Sequence, residues 1–229
     1  MAATRPDPTA FIKANMRLAP VAALPEIQIY SAHPGSGLRR LVDPEADDGD
    51  AAAPEPQPPY WAYAWAGGTV LARYILDRPQ AVAGRRVLDL GAGSGLVGIA
   101  AAKAGARAVI AAEIDRNGIV ALGLNATANG VAITVVGEDI TAGPPPGVDL
   151  VLAGDVFYAH EVARRVIPFL DRCLAAGIEV LVGDPRRADL PLSRLKLLAE
   201  YKVPDFGDAK GTASRPSGVF SFETVRSFP

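Results

Sequence analysis

The chain has 229 residues, of which 49% are hydrophobic, and a formal net charge of −2. A chain of this length buries roughly 70–75% of its unfolded surface, so one domain is expected without disulfide staples. The near-neutral charge supplies no overall field for nucleic acid or an acidic membrane, and no apolar run reaches the roughly 18 residues of a membrane-spanning helix.

The single cysteine, Cys173, can form no internal disulfide, which fits a reducing compartment and an expected cytoplasmic location. With two histidines, His33 and His160, and that one thiol, no zinc cluster of usual spacing can be assembled, so no metal is expected. No G-x-S-x-G elbow of a serine hydrolase is present. The first residues, MAATRPDPTAFIKANMRL, lack the uninterrupted apolar stretch of a secretory signal.

Along the chain, residues 9–29 carry a short helical pattern and then an extended piece, PEIQIY. Residues 43–59 (DPEADDGDAAAPEPQPP) are acidic and rich in proline and alanine. Such a composition buries little and predicts a flexible loop closing an N-terminal extension, 1–59. From residue 60 to 229 a core follows. The pattern predicts a helix over 68–76, a strand over 86–90, a helix over 96–104, a strand over 108–112 and a helix over 116–129 that ends at Gly130. Strands are then predicted over 133–136 and 148–153, a helix over 161–175, a strand over 178–182 and a helix over 192–200. Two extended pieces, near 201–203 and 219–225, flank a turn rich in glycine, serine and proline.

This alternation predicts an α/β fold, a parallel sheet covered on both faces with right-handed crossovers. The last two strands have no helix between them and are expected to form an antiparallel hairpin at the sheet edge. Ligands in such folds bind beyond the carboxyl ends of the strands, and Asp89, Glu113, Asp139, Asp155 and Asp184 all fall at or just past those ends.

The turn in VLDLGAGSGLVG satisfies G-x-G-x-x-G with Gly93, Gly95 and Gly98, a pattern that alone leaves a dinucleotide open. Asp89 decides against it. A pyrophosphate beside that carboxylate would be repelled, whereas the sulfonium and ammonium of S-adenosylmethionine would be stabilised. Glu113 can accept the ribose hydroxyls of either cofactor, and Asp139, in GEDI, can reach an adenine amino group.

The stretches VLDLGAGSG, AAEIDRN, GEDI and VDLVLAGDVFY resemble the seven-strand S-adenosylmethionine-dependent methyltransferases. With PYWAYAWAGG, GDVFY, GDPRR and PEIQIY, the chain is similar to the family that methylates lysines of the electron transfer flavoprotein beta subunit. The resemblance implies a Rossmann-like seven-stranded methyltransferase fold with strand order 3-2-1-4-5-7-6, strand 7 antiparallel, in a single domain over 1–229. It implies cofactor contacts at Asp89, Gly91, Gly93, Glu113 and Asp139, and a segment closing over the cofactor at Trp65 and Gly67. It also places Asp155 and Tyr158, from D-x-F-Y, beside the methyl-acceptor lysine. The acidic loop fits no part of that pattern.

Methyl transfer needs a neutral amine. Neutralising a lysine of pKa about 10.4 at pH 7 costs about 4.6 kcal/mol. Asp155 alone works in the wrong direction, because a nearby opposite charge favours the ammonium. A sulfonium about 4 Å away repels the ammonium by roughly 4 kcal/mol at an effective dielectric of about 20. Asp155 is therefore expected to capture and aim the lysine, with its proton leaving to water, while Phe157 and Tyr158 wall the channel.

The plainer roles are a helix cap for Asp155, core packing for Phe157, and packing of the N-terminal segment for Trp61 and Tyr63. Asp184 and Arg186 either shape the substrate side or sit in a surface loop. His160 is expected at a solvated helix start, and Arg164 and Arg165 on a solvated helix face. The expected partner is a protein, the flavoprotein beta subunit, with a monomeric enzyme and neither nucleic acid nor membrane. Alternatives are another protein such as a ribosomal protein, a small-molecule N-methyltransferase, a non-catalytic cofactor-binding module and a nicotinamide oxidoreductase.

Overall fold

The structure is a computed structural model that describes residues 6–41, 59–205 and 216–224. An N-terminal helix α1 (Pro8–Asn15) leads to a hairpin of β1 (Arg17–Val21) and β2 (Leu24–Ser31). The core follows as α2 (Ala66–Asp77), β3 (Arg86–Leu90), α3 (Leu96–Lys103), β4 (Ala108–Ala112), α4 (Arg116–Ala128) and β5 (Thr134–Val136). It continues through β6 (Leu150–Gly154), α5 (His160–Ala175), β7 (Glu179–Asp184), β8 (Leu195–Lys202) and β9 (Pro216–Phe222).

Seven strands form one sheet in the order β5-β4-β3-β6-β7-β9-β8, which is 3-2-1-4-5-7-6 when counted from β3. Strands β3 to β7 run parallel, and β9 is antiparallel to both neighbours. Buried on both faces, the central strands are almost wholly apolar. Val87, Leu150 and Leu152 pack with α2 and α3 on one face, while Leu88, Leu90, Val151 and Ala153 pack with α5 on the other. Helix α5 presents Ala163, Val166, Phe169, Leu170 and Cys173 at helical spacing to that second face. Burying each of its larger apolar side chains contributes about 1.5–3 kcal/mol.

Two elements differ from the sequence-based expectation. The helix expected over 192–200 is a strand: only Leu192–Arg194 turns, as a short 3-10 helix, and β8 pairs with β9. The leucines at 192, 195 and 198 imitate helical spacing. Read in steps of two, Leu195, Leu197, Ala199 and Tyr201 alternate with Lys196, Glu200 and Lys202, and a register shift between Leu197 and Ala199 absorbs Leu198. Edge pairing therefore overrides local periodicity. The second difference is the hairpin partner β1, which the sequence pattern did not reveal beside PEIQIY.

That hairpin is fastened to the core by two asparagines, Asn125 of α4 and Asn129 just past its end. Asn129 Oδ1 accepts the Gln28 N–H at 3.1 Å and its amide donates to the Gln28 carbonyl at 2.6 Å. The fully buried Asn125 accepts the Tyr30 N–H at 2.8 Å and donates to the Ser94 carbonyl at 2.8 Å. The acidic segment 43–59 lies outside the described residues except for Pro59, as does Val225 at the far end of the last expected strand.

Candidate active site

The carboxyl ends of β3, β4, β6 and β7 open on one cavity of about 370 Å³, within the range of small-molecule sites. The turn after β3 forms one wall. Gly91, Gly93 and Gly95 have φ of 65°, 53° and 79°, which only glycine adopts freely, so the chain reverses there with no side chain between backbone and cavity. Asp89 shares the strand face of Val87, under α3, and is 1% exposed. Its Oδ2 accepts the Gly98 N–H at 2.7 Å, and burial pushes its pKa up to about 7. Glu113, just past β4, accepts the N–H of Gly93 through Oε2 and of Asp115 through Oε1, each at 2.7 Å. Burial raises its pKa too, against those hydrogen bonds. Among the described residues neither acid forms an ion pair, so the wall is a pair of desolvated carboxylates that a cationic ligand would stabilise.

Asp139 also lines the cavity, three residues beyond β5. It caps the short turn Ile140–Ala142 by accepting the Thr141 hydroxyl at 2.6 Å and N–H at 2.9 Å, which lowers its pKa. Arg165 is exposed, as expected, and also lines the cavity, pairing with Asp139 at 3.2 Å.

The other end of the cavity is built by β6, Arg187 from the loop after β7, and the start of α2. Gly67 and Gly68 let α2 press onto the strand ends. A Cβ on Gly67 would lie 2.3 Å from the Gly183 carbonyl oxygen and 2.6 Å from Asp155 Oδ2, and one on Gly183 would lie 2.1 Å from the Gly67 oxygen. Gly67 is therefore a packing residue, which corrects its expected place against the cofactor; Gly68 is the member of the pair on the wall. Trp65 does line the cavity, its indole N–H donating to the Tyr60 carbonyl at 2.7 Å and its ring meeting Tyr60 at 5.6 Å and Tyr63 at 6.1 Å.

Asp155 sits at φ 55°, uncommon outside glycine though tolerated by aspartate. Its N–H donates to the Gly183 carbonyl at 2.9 Å, and Oδ2 accepts the Gly68 N–H at 3.0 Å. So it caps no helix of its own segment; the expected capping role falls to the start of α2. Its Oδ1 is held by Arg187, with Nη2 at 2.6 Å and Nε at 2.8 Å. Burial raises the Asp155 pKa despite this partner. Arg187 was not singled out by sequence; its only signal was the basic pair in GDPRR. Arg186, which was, pairs with Glu200 on β8. Asp184 is fully buried, its pKa pushed by burial up to about 6, and it accepts the Arg187 N–H at 2.7 Å.

Tyr158 lines the mouth, 41% exposed, with its ring 5.0 Å from that of Tyr60. Phe157 does not wall the channel: it is completely buried in the core under α5. Trp61 packs with Ile12 and Met16 and also reaches the cavity, as does Tyr63. His160 is solvated at the start of α5, 3.2 Å from Asp189.

A sheet of this order, with a glycine turn and strand-end acids facing one cavity, defines the S-adenosylmethionine-dependent methyltransferase class. The ribosomal protein L11 methylase of Lactobacillus delbrueckii subsp. bulgaricus shares the fold, with a TM-score of 0.52 at 23% identity over 71% of this chain and 81% of that one. The sequence profile of the family described as lysine methyltransferase matches residues 62–199. The electron transfer flavoprotein beta subunit lysine methyltransferase of Danio rerio is 41% identical over 153 residues, 64% of this chain and 59% of that protein's length. Its namesake from Homo sapiens is 34% identical over 228 residues, 95% of this chain and 83% of that protein. The chain belongs to the lysine methyltransferase family, and its methyl donor is S-adenosylmethionine. The desolvated carboxylates of Asp89 and Glu113, with no ion-pair partner among the described residues, and the side-chain-free glycine turn fit a cationic nucleoside of that kind.

Proposed function

We propose that this protein methylates lysine side chains of the electron transfer flavoprotein beta subunit, as the names of its relatives state for them. The observation that carries the reading is the continuity of one cavity from Glu113, at the donor end, to Asp155 and Tyr158 at its mouth. Asp89, Gly91, Gly93, Glu113 and Asp139 are the residues that would hold the donor, with Trp65 covering the passage to the acceptor. The bound donor supplies an electrophilic methyl group on a sulfonium.

The protein's part is to bring a neutral amine to that end. Each carboxylate oxygen has two lone pairs, so Asp155 retains acceptor capacity beyond Arg187 and Gly68. An amine N–H donated to Asp155 turns the nitrogen lone pair away from it, into the cavity. Tyr60, Trp65 and Tyr158 narrow the mouth around the aliphatic stem and exclude water, and near-attack positioning supplies much of the rate. The lysine proton leaves to solvent before the stem is seated and the mouth closes around it. A protein acceptor, a monomeric enzyme, no nucleic acid or membrane partner and a cytoplasmic setting complete the proposal; the buried free thiol of Cys173 is compatible with that setting.

The test is Asp155→Asn, with methylation of the flavoprotein and affinity for S-adenosylhomocysteine measured separately. The expected result is a loss in kcat of about a hundredfold or more, the scale of a positioning defect, with affinity changed less than about threefold. Unchanged turnover removes Asp155 from the acceptor site.

A further inference from the structure

We infer that Arg187 is a positioning residue of the acceptor site, occupying Asp155 with a permanent positive charge so that the arriving lysine is not held as an ammonium ion. The inference rests on the lysine reading above and resolves its difficulty of sign, since a bare carboxylate would stabilise the protonated amine.

The geometry is that of a fork on one oxygen. Arg187 Nη2 and Nε lie 2.6 and 2.8 Å from Asp155 Oδ1, and Nη2 also lies 3.3 Å from Asp205 Oδ2. The guanidinium carbon is 5.7 Å from the Trp65 ring centre, and the Arg187 backbone N–H is anchored on Asp184. Asp155 is thus faced by Arg187 and Asp184 from the end of β7, by Asp205 from beyond β8, and by Tyr158 from its own loop. From α2 it meets the Gly68 N–H beside Trp65, and Asp89 and Glu113 line the donor end of the same cavity.

Among the described residues lining the cavity, the one other cation is Arg165, already engaged by Asp139. Arg187 pairs through its guanidinium with Asp155 and Asp205, and its backbone N–H is held by Asp184. Asp184 and Asp205 do not line the cavity. The carboxylate that the amine meets, Asp155, is the one Arg187 holds through two nitrogens. A guanidinium does not lose its proton below about pH 12, so between Arg187 and the acceptor only the lysine titrates. Without Arg187 the acceptor's pKa rises, and each unit of rise lowers the neutral fraction tenfold.

The experiment uses Arg187→Gln and Arg187→Lys with the flavoprotein beta subunit as acceptor. Both kcat and KM are followed from near neutral to alkaline pH, and S-adenosylhomocysteine affinity is measured by calorimetry on the same proteins. R187Q is expected to bind S-adenosylhomocysteine like the wild type and to show an equal or lower KM. Its kcat falls about tenfold or more near pH 7 and recovers above about pH 9. R187K, which keeps the charge but not the fork, retains a wild-type pH profile with a smaller loss. A fall in kcat by the same factor at every pH, a raised KM with unchanged kcat, or lost S-adenosylhomocysteine binding in both variants overturns the inference and leaves the lysine reading standing. Absence of lysine methylation by the wild type overturns both.

Discussion

At the scale of single residues, burial gives each acid on the rim a different task. Asp89 has its pKa pushed up to about 7 by burial, opposed by one backbone hydrogen bond. A bound cation favours the ionised form, so its pKa falls on binding. Below about pH 7 the free protein holds a proton there that binding must expel. Affinity for S-adenosylmethionine is therefore expected to weaken as pH drops, by up to about tenfold per unit. Calorimetry across that range checks this: Asp89→Asn should bind more weakly at neutral pH and show a shallower slope, whereas an unaltered slope would remove Asp89 from the donor site. Asp155 was legible because a carboxylate after an apolar strand and before Phe-Tyr is a recognisable motif. Its partner Arg187 was not, because the contact joins residues 32 apart and a basic pair in a loop reads as solvated. Phe157 shows the same limit, since alternation past a strand end could point it either way until α5 covered it.

At the scale of elements, the site depends on how closely α2 lies on the strands beneath it. Gly67 against Gly183, and Gly154 against Gly68, remove the side chains that would hold the helix off, and that approach delivers the Gly68 N–H to Asp155. Gly67→Ala forces a methyl to 2.3 Å from a backbone oxygen that has nowhere to retreat. It is expected to destabilise the fold by about 1–3 kcal/mol, the usual cost of overpacking, and to displace Asp155. Urea denaturation and turnover measure the two effects, and wild-type values for both would contradict this packing account. The sequence shows glycines but not what they face, so WAGG read as a cofactor segment. The misread β8 has a related cause: its leucine spacing is local, while the pairing with β9 that decides its conformation comes from residues later in the chain.

At the scale of the whole molecule, the parallel sheet and the acidic rim were readable from strand–helix alternation and from acids at strand ends, while the strand order came with the family resemblance. Those signals repeat along the chain and do not depend on distant contacts. The docking of the N-terminal hairpin was not readable, because it rests on Asn125 and Asn129 replacing strand neighbours, and a helix asparagine has no sequence signature for that use. Asn125 joins the hairpin to the glycine turn through Ser94, so the extension and the donor end form one hydrogen-bonded unit. The central claim is transfer of a methyl group to lysine on a protein. Its most direct measurement is incubation of the purified protein with isotope-labelled S-adenosylmethionine and a methyl-free cell extract, followed by mass spectrometry of the labelled products. Label on lysines of the electron transfer flavoprotein beta subunit is expected; label confined to small metabolites would contradict a protein-lysine acceptor.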